Sequence, residues 1–157
     1  MQGVKTYTIE EAKRKLEAFC AYQERYHKEV VAKLRQMRMI PLAIDTIVVH
    51  LIENGFLNEE RFAKSFARGK FRYKNWGKNR IKQELRFREI STYNIKIALQ
   101  EIDYDEYVAT FHKLAEKKYA EISKKNKLKA KKKLTDYLLY RGWESNWVYE
   151  KVSELFD

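Results

Sequence analysis

VVAKLRQMRMIPLAIDTIVVHL (residues 30–51), IKQELRFREISTYNIKIALQEI (81–102) and LTDYLLYRGWESNWVYEKVSEL (134–155) are one pattern written three times. They are anchored on Leu34, Leu85 and Leu138, which lie 51 and 53 residues apart, and they align without a gap. Four residues before the anchors stand Val30, Ile81 and Leu134; five after stand Met39, Ile90 and Trp143. Ile44, Ile95 and Val148 follow at plus ten, Val48, Leu99 and Val152 at plus fourteen, and Leu51, Ile102 and Leu155 at plus seventeen. These offsets describe two helical stripes broken by a turn. A unit of about fifty residues buries little surface alone, so the spacing predicts all-α tandem repeats that stack to share a core.

Working outward, each unit gains a preceding helix. Thr8-Ile9-Glu10-Glu11 fits a capping box, opening a helix to about Tyr26 with Ala12, Leu16, Phe19 and Cys20 on one face. A second helix covers about Lys28 to Arg38, and a third starts at Pro41 and stops at Asn54-Gly55. Asn58 caps the next helix, with Phe62, Ala63, Phe66 and Phe71 facing inward. Asn75-Trp76-Gly77 breaks it; further helices run from Lys78 to Arg88 and from Ser91 to Glu101. The last unit begins near Asp103, carries Tyr107, Val108, Phe111, Leu114 and Ala115, and runs through a lysine-rich stretch to Arg141-Gly142. Ser145 is read as the cap of the final helix. Gly142 has Arg38 and Glu89 as counterparts, so those two turns are expected to close differently. The units are 1–55, 56–102 and 103–157, three-helix repeats of helix-turn-helix type.

The net charge of +11 is concentrated. Residues 68–88 hold nine Lys/Arg against Glu84 alone, and residues 117–133 hold nine Lys against Glu121 alone. The rest of the chain has more acids than bases. Such windows fit a polyanion partner, although a lysine run is also what a solvated helix face looks like. In the first window bases interleave with Phe71, Tyr73, Trp76 and Phe87. Cations bind phosphates and an exposed ring stacks on an unpaired base. Lys78, Lys82 and Arg86 form one stripe at i, i+4, i+8, opposite the core stripe of Ile81 and Leu85. Phe71 and Phe87 read as core, and Trp76 as interhelical packing or an exposed contact. The candidate DNA-binding residues are Lys70, Arg72, Lys74, Lys78, Arg80, Lys82, Arg86, Lys129, Lys132 and Lys133, contacting single- and double-stranded DNA through phosphates.

No P-loop, dinucleotide fingerprint or nucleophile elbow occurs. His27, His50 and His112 are scattered, without metal-ligand spacing. Acidic pairs sit at helix starts, where capping accounts for them. The expectation is a non-enzymatic binding protein with no cofactor and no metal. Cys20, the single cysteine, reads as packing and suits the reducing cytoplasm. No apolar run is long enough to span a membrane.

The run LIENGFLNEERFA (51–63), followed by GKNRIKQEL (77–85), resembles the central signature of the bacterial RecX regulatory proteins. The central unit carries most of the likeness. The outer units match through the hydrophobic columns, the first being the most diverged. Asn58 stands where Asp is usual, Lys78 where Pro is frequent and Glu89 where Gly is frequent; none of these removes a positive charge. The resemblance implies an elongated, curved array of three three-helix repeats. It also implies a modulator of the RecA recombinase that binds RecA filaments on DNA and restrains their ATPase, strand exchange and role in recombination and the SOS response. The chain is expected to act as a monomer. Two other readings stay open: a helical DNA- or RNA-binding module unrelated to RecA, and a protein scaffold whose lysines only solubilise it.

Overall fold

The computed structural model describes residues 5–157. Nine α-helices follow one another among these residues, with no strand: α1 Ile9–Tyr22, α2 His27–Gln36, α3 Pro41–Glu53, α4 Glu59–Lys74, α5 Lys78–Phe87, α6 Thr92–Gln100, α7 Tyr104–Glu121, α8 Lys127–Tyr140 and α9 Ser145–Phe156. The start signals act as the sequence dictates. Thr8 accepts from the Glu11 amide at 3.1 Å while Glu11 reaches back to the Thr8 amide at 3.0 Å, closing a capping box. Asn58, Ser91, Asp103 and Asn126 each accept from the amide three residues on. Pro41 occupies the first turn of α3.

The column residues make the core. Leu34, Leu85 and Leu138 are fully buried, as are Val30, Ile81 and Leu134. Of the eighteen, only Met39, Leu99 and Leu155 stay partly exposed. The anchor and plus-five columns have a common structural cause. Met39, Ile90 and Trp143 donate their amides to the carbonyls of Leu34, Leu85 and Leu138 at 3.1, 3.1 and 3.3 Å. One residue earlier, Arg38, Glu89 and Gly142 each donate to the carbonyl three residues back at 2.9 Å. This pair of bonds is the Schellman motif, in which the anchor is C3 and the plus-five residue is its apolar partner C″. All three turns therefore close alike. Arg38 and Glu89 adopt φ of 62° and 61°, beside 92° for Gly142. The expectation that they would close differently fails, because the C3–C″ contact and two hydrogen bonds outweigh the left-handed backbone cost of a non-glycine residue.

Other boundaries move for local reasons. α1 stops at Tyr22 rather than Tyr26, since Gln23 is extended and the Arg25 guanidinium folds back over the Phe19 ring at 3.6 Å and donates to its carbonyl at 2.9 Å. The lysine-rich stretch is not one continuous helix. Ile122 leaves α7 in extended conformation and buries its side chain, and Lys124 caps the carbonyls of Tyr119 and Ile122. Ser145 is the first residue of α9 rather than its cap; Glu144 holds the cap position and turns its carboxylate elsewhere.

The repeats do not share one continuous core. Ala12, Leu16, Cys20, Val30, Leu34, Ile47, Leu51 and Leu57 belong to a cluster in the first repeat. A second cluster runs without interruption from Phe62 to Val152, joining the second and third repeats. The first repeat meets the second through Tyr26, whose ring lies 5.1 Å from Phe62, and through ion pairs of Arg61 with Glu24 and Lys28 with Glu89. Within the first cluster, burial raises the Cys20 thiol above its usual range, which disfavours the reactive thiolate.

Candidate nucleic-acid interface

The basic helix α5 is held at its start by the third repeat rather than by a side-chain cap. Gly77 takes the N-cap position, and its amide donates to the Arg141 carbonyl at 2.8 Å. The Asn79 amide donates to the Gly142 carbonyl at 3.0 Å, and the Lys78 amide to the Tyr107 hydroxyl at 2.8 Å. Three amides at the helix start, which have no partner within the helix, thus find acceptors in the third repeat. The Tyr107 hydroxyl in turn donates to the Glu144 carboxylate, and the Trp143 indole donates to the Asn75 carbonyl at 3.2 Å. Burial, reinforced by that carboxylate, pushes the Tyr107 hydroxyl far above the ordinary tyrosine range. Gly77 is necessary here. A Cβ on it would lie 2.5 Å from the Gly142 carbonyl carbon and 2.6 Å from the Trp143 amide nitrogen. Gly142 is packed equally hard against Arg80.

With its start fixed, α5 presents Lys78, Lys82 and Arg86 along one wall of a groove. The opposite wall is α6, through Thr92, Ile95, Lys96, Leu99 and Gln100. Ile95 and Leu99 make an apolar floor, and four cations rim it. Lys96 is exposed and is absent from the residues that spacing singles out. It lies on another helix, so no local spacing links it to Lys78; only the α5–α6 packing brings it in. Tyr93 stands 69% exposed one turn before Lys96, on the same helix face.

The other candidates divide. Arg72 and Lys74 end α4, exposed on either side of the exposed Tyr73. Lys70 sits over the rings of Phe66 and Trp76, at 5.5 and 5.1 Å. The Arg80 guanidinium is 4.1 Å from the Trp76 ring and 4.6 Å from that of Tyr140, and donates to the Tyr140 carbonyl at 3.4 Å. Arg80 therefore serves the joint between the second and third repeats. Lys132 pairs with Asp136 at 2.6 Å, while Lys129 and Lys133 are exposed on α8. None of these three lines the groove. Trp76 is buried, which decides for packing. Phe87, read as core, is instead 74% exposed, with Lys28 over its ring at 5.8 Å. Ile81 and Leu85 already fill the inward face of α5, leaving Phe87 outside.

Consecutive three-helix repeats, all α-helical among the described residues, with a cation-rimmed groove on the second, define the class as a helical-repeat protein. The chain belongs to the RecX family of regulatory proteins. Residues 58–99 match the model described as RecX, second three-helix domain, and residues 105–152 the one described as RecX, third three-helix domain. A regulatory protein RecX of Chlorobium phaeobacteroides is 30% identical over 136 residues, spanning 85% of this chain and 86% of that one. Its counterpart in Clostridium acetobutylicum is 29% identical over 149 residues, 92% of this chain and 69% of the relative. The chain spans only 56% of the Bacillus cytotoxicus relative, at 26% identity. The crystal structure of RecX from Lactobacillus salivarius superposes with a TM-score of 0.77 at 26% identity, covering 94% of this chain and 96% of that one. Among the described residues no helix is long and apolar enough to cross a membrane.

Proposed function

We propose that this protein binds RecA filaments on DNA and restrains them, lowering their ATPase, strand exchange and recombination and SOS activity without chemistry of its own. The observation that carries the reading is the α5–α6 groove, where Lys78, Lys82, Arg86 and Lys96 rim one apolar floor in a chain whose family is a family of regulators. Four cations at that spacing suit the phosphates of a strand, and they read no base edge. Arg72 and Lys74, with Lys129 and Lys133, extend the positive surface; Lys70, Arg80 and Lys132 contribute through packing or a paired charge. The chain works as three units, 1–55, 56–102 and 103–157, acting as a cytoplasmic monomer. A DNA-binding surface and a protein-binding surface on one array gain from effective concentration, so the filament is bound more tightly than bare DNA or free RecA. The test is co-sedimentation with preformed RecA filaments on single-stranded DNA, against bare DNA and RecA alone. Preferential pelleting with filaments supports the reading. Pelleting with bare DNA to the same extent replaces it with a general nucleic-acid-binding module.

A further inference from the structure

The tandem repeats act as an internal control on which surface residues are unusual. α3, α6 and α9 are equivalent helices. The outer face of α3 carries Leu42, Val49 and Ile52, at 73%, 50% and 52% exposure, with Ile40 at 65% just before it. The counterparts of Leu42, Val49 and Ile52 in the second repeat are Tyr93, Gln100 and Asp103. In the third they are Asn146, Ser153 and Phe156, the last packed on Tyr119 with ring centroids 5.0 Å apart. The first repeat alone exposes an aliphatic stripe; the second has one exposed ring, Tyr93, beside two polar residues, and the third two polar residues and a covered ring. A stripe of this kind, kept in contact with water, marks an interaction surface.

Charge selects the partner. From Met39 to Glu60 the chain holds no Lys or Arg, and Asp45 and Glu53 are exposed on the same helix as the stripe. His50 turns instead to Glu17, at 2.6 Å. The bases that border the stripe from other segments, Lys13 beside Val49 and Lys28 and Arg88 beside Ile52, are each paired with a carboxylate, Glu10, Glu89 and Glu84, at 3.3, 3.8 and 3.4 Å. The face therefore suits phosphates poorly and is not a continuation of the DNA groove. Two copies joined through it would bring the carboxylates of both chains together. We infer that the outer face of α3 docks on the protein component of the filament, on a surface whose apolar residues are flanked by Lys or Arg. This rests on the filament reading and divides the labour: α5–α6 for nucleic acid, α3 for protein.

The experiment uses the full chain with preformed RecA filaments on poly(dT), and two variants. L42S/V49S/I52S changes only exposed side chains. D45K/E53K reverses the flanking charge. Filament affinity should fall at least tenfold in both, with bare poly(dT) binding kept by the first and kept or strengthened in the second. Helical content and melting temperature close to wild type show that the fold is intact. Wild-type filament binding retained by both variants overturns this inference alone. Filament binding absent from the wild type overturns the filament reading and this inference with it. A wild-type dimer in sedimentation velocity that L42S/V49S/I52S abolishes assigns the face to a second copy, and likewise overturns it.

Discussion

Replacing Gly77 with Ala should open the joint between the second and third repeats. The added Cβ would meet the backbone of Gly142 and Trp143 at 2.5–2.6 Å, and backbone there cannot step aside as a side-chain tip can. Relief requires α5 to retreat from the α8–α9 turn, which lengthens the Gly77–Arg141 and Asn79–Gly142 hydrogen bonds, now 2.8 and 3.0 Å. Two such bonds contribute about 1–3 kcal/mol, and overpacking a tight contact costs about 1–3 kcal/mol. We expect a total loss of about 2–5 kcal/mol in urea unfolding, with a melting temperature lower by roughly 5–15 °C. Gly69 is the control. It lies inside α4 with nothing within 4 Å of an added Cβ, so Gly69→Ala should gain about 0.5–1 kcal/mol from helix propensity. An unchanged midpoint for Gly77→Ala would refute the backbone-to-backbone docking of these repeats.

Three further outcomes are expected. Arg38→Gly and Glu89→Gly, by relieving the left-handed backbone at φ 62° and 61°, should each stabilise by about 0.5–1 kcal/mol in the same urea titration; a loss would mean the side chains matter more than the dihedral. Tyr107→Phe should cost about 1–3 kcal/mol, because the Lys78 amide and Glu144 lose their partner. Since burial raises the Tyr107 hydroxyl above the unfolded value near pH 10, its contribution is complete below that pH and declines as pH rises beyond it; the gap between wild type and variant should narrow in alkaline unfolding curves. Replacing Lys78, Lys82 and Arg86 together with Ala should weaken binding to all single strands alike and flatten log affinity against log salt by roughly 0.7 for each phosphate the variant no longer neutralises; an unchanged slope in fluorescence anisotropy would move the DNA face to α8.

The helices and their order are legible in the sequence because caps and apolar spacing are local signals. Thr8, Asn58, Ser91 and Asp103 each cap from within four residues. The turns depart from expectation where a local rule, glycine at C′, is outweighed by the anchor contact that the same alignment contains. The break at Ile122 escapes a sequence reading because no glycine or proline marks it; burial of one isoleucine and a lysine cap end the helix there. At the site, the Lys78–Lys82–Arg86 stripe is legible from its spacing. Lys96 is not, since the packing of α6 on α5 brings it in, and Arg80 resembles a phosphate ligand until the third repeat supplies Tyr140. Contacts between distant segments leave no spacing to read.

The most direct test of the account is the ATPase of RecA on single-stranded DNA, measured after filaments have formed and titrated with this protein. The account predicts a saturable fall in ATPase that needs no added nucleotide or metal beyond those of RecA, and that is much reduced for the Lys78/Lys82/Arg86 alanine variant. An ATPase rate unchanged at saturating protein, with no co-sedimentation, would contradict it.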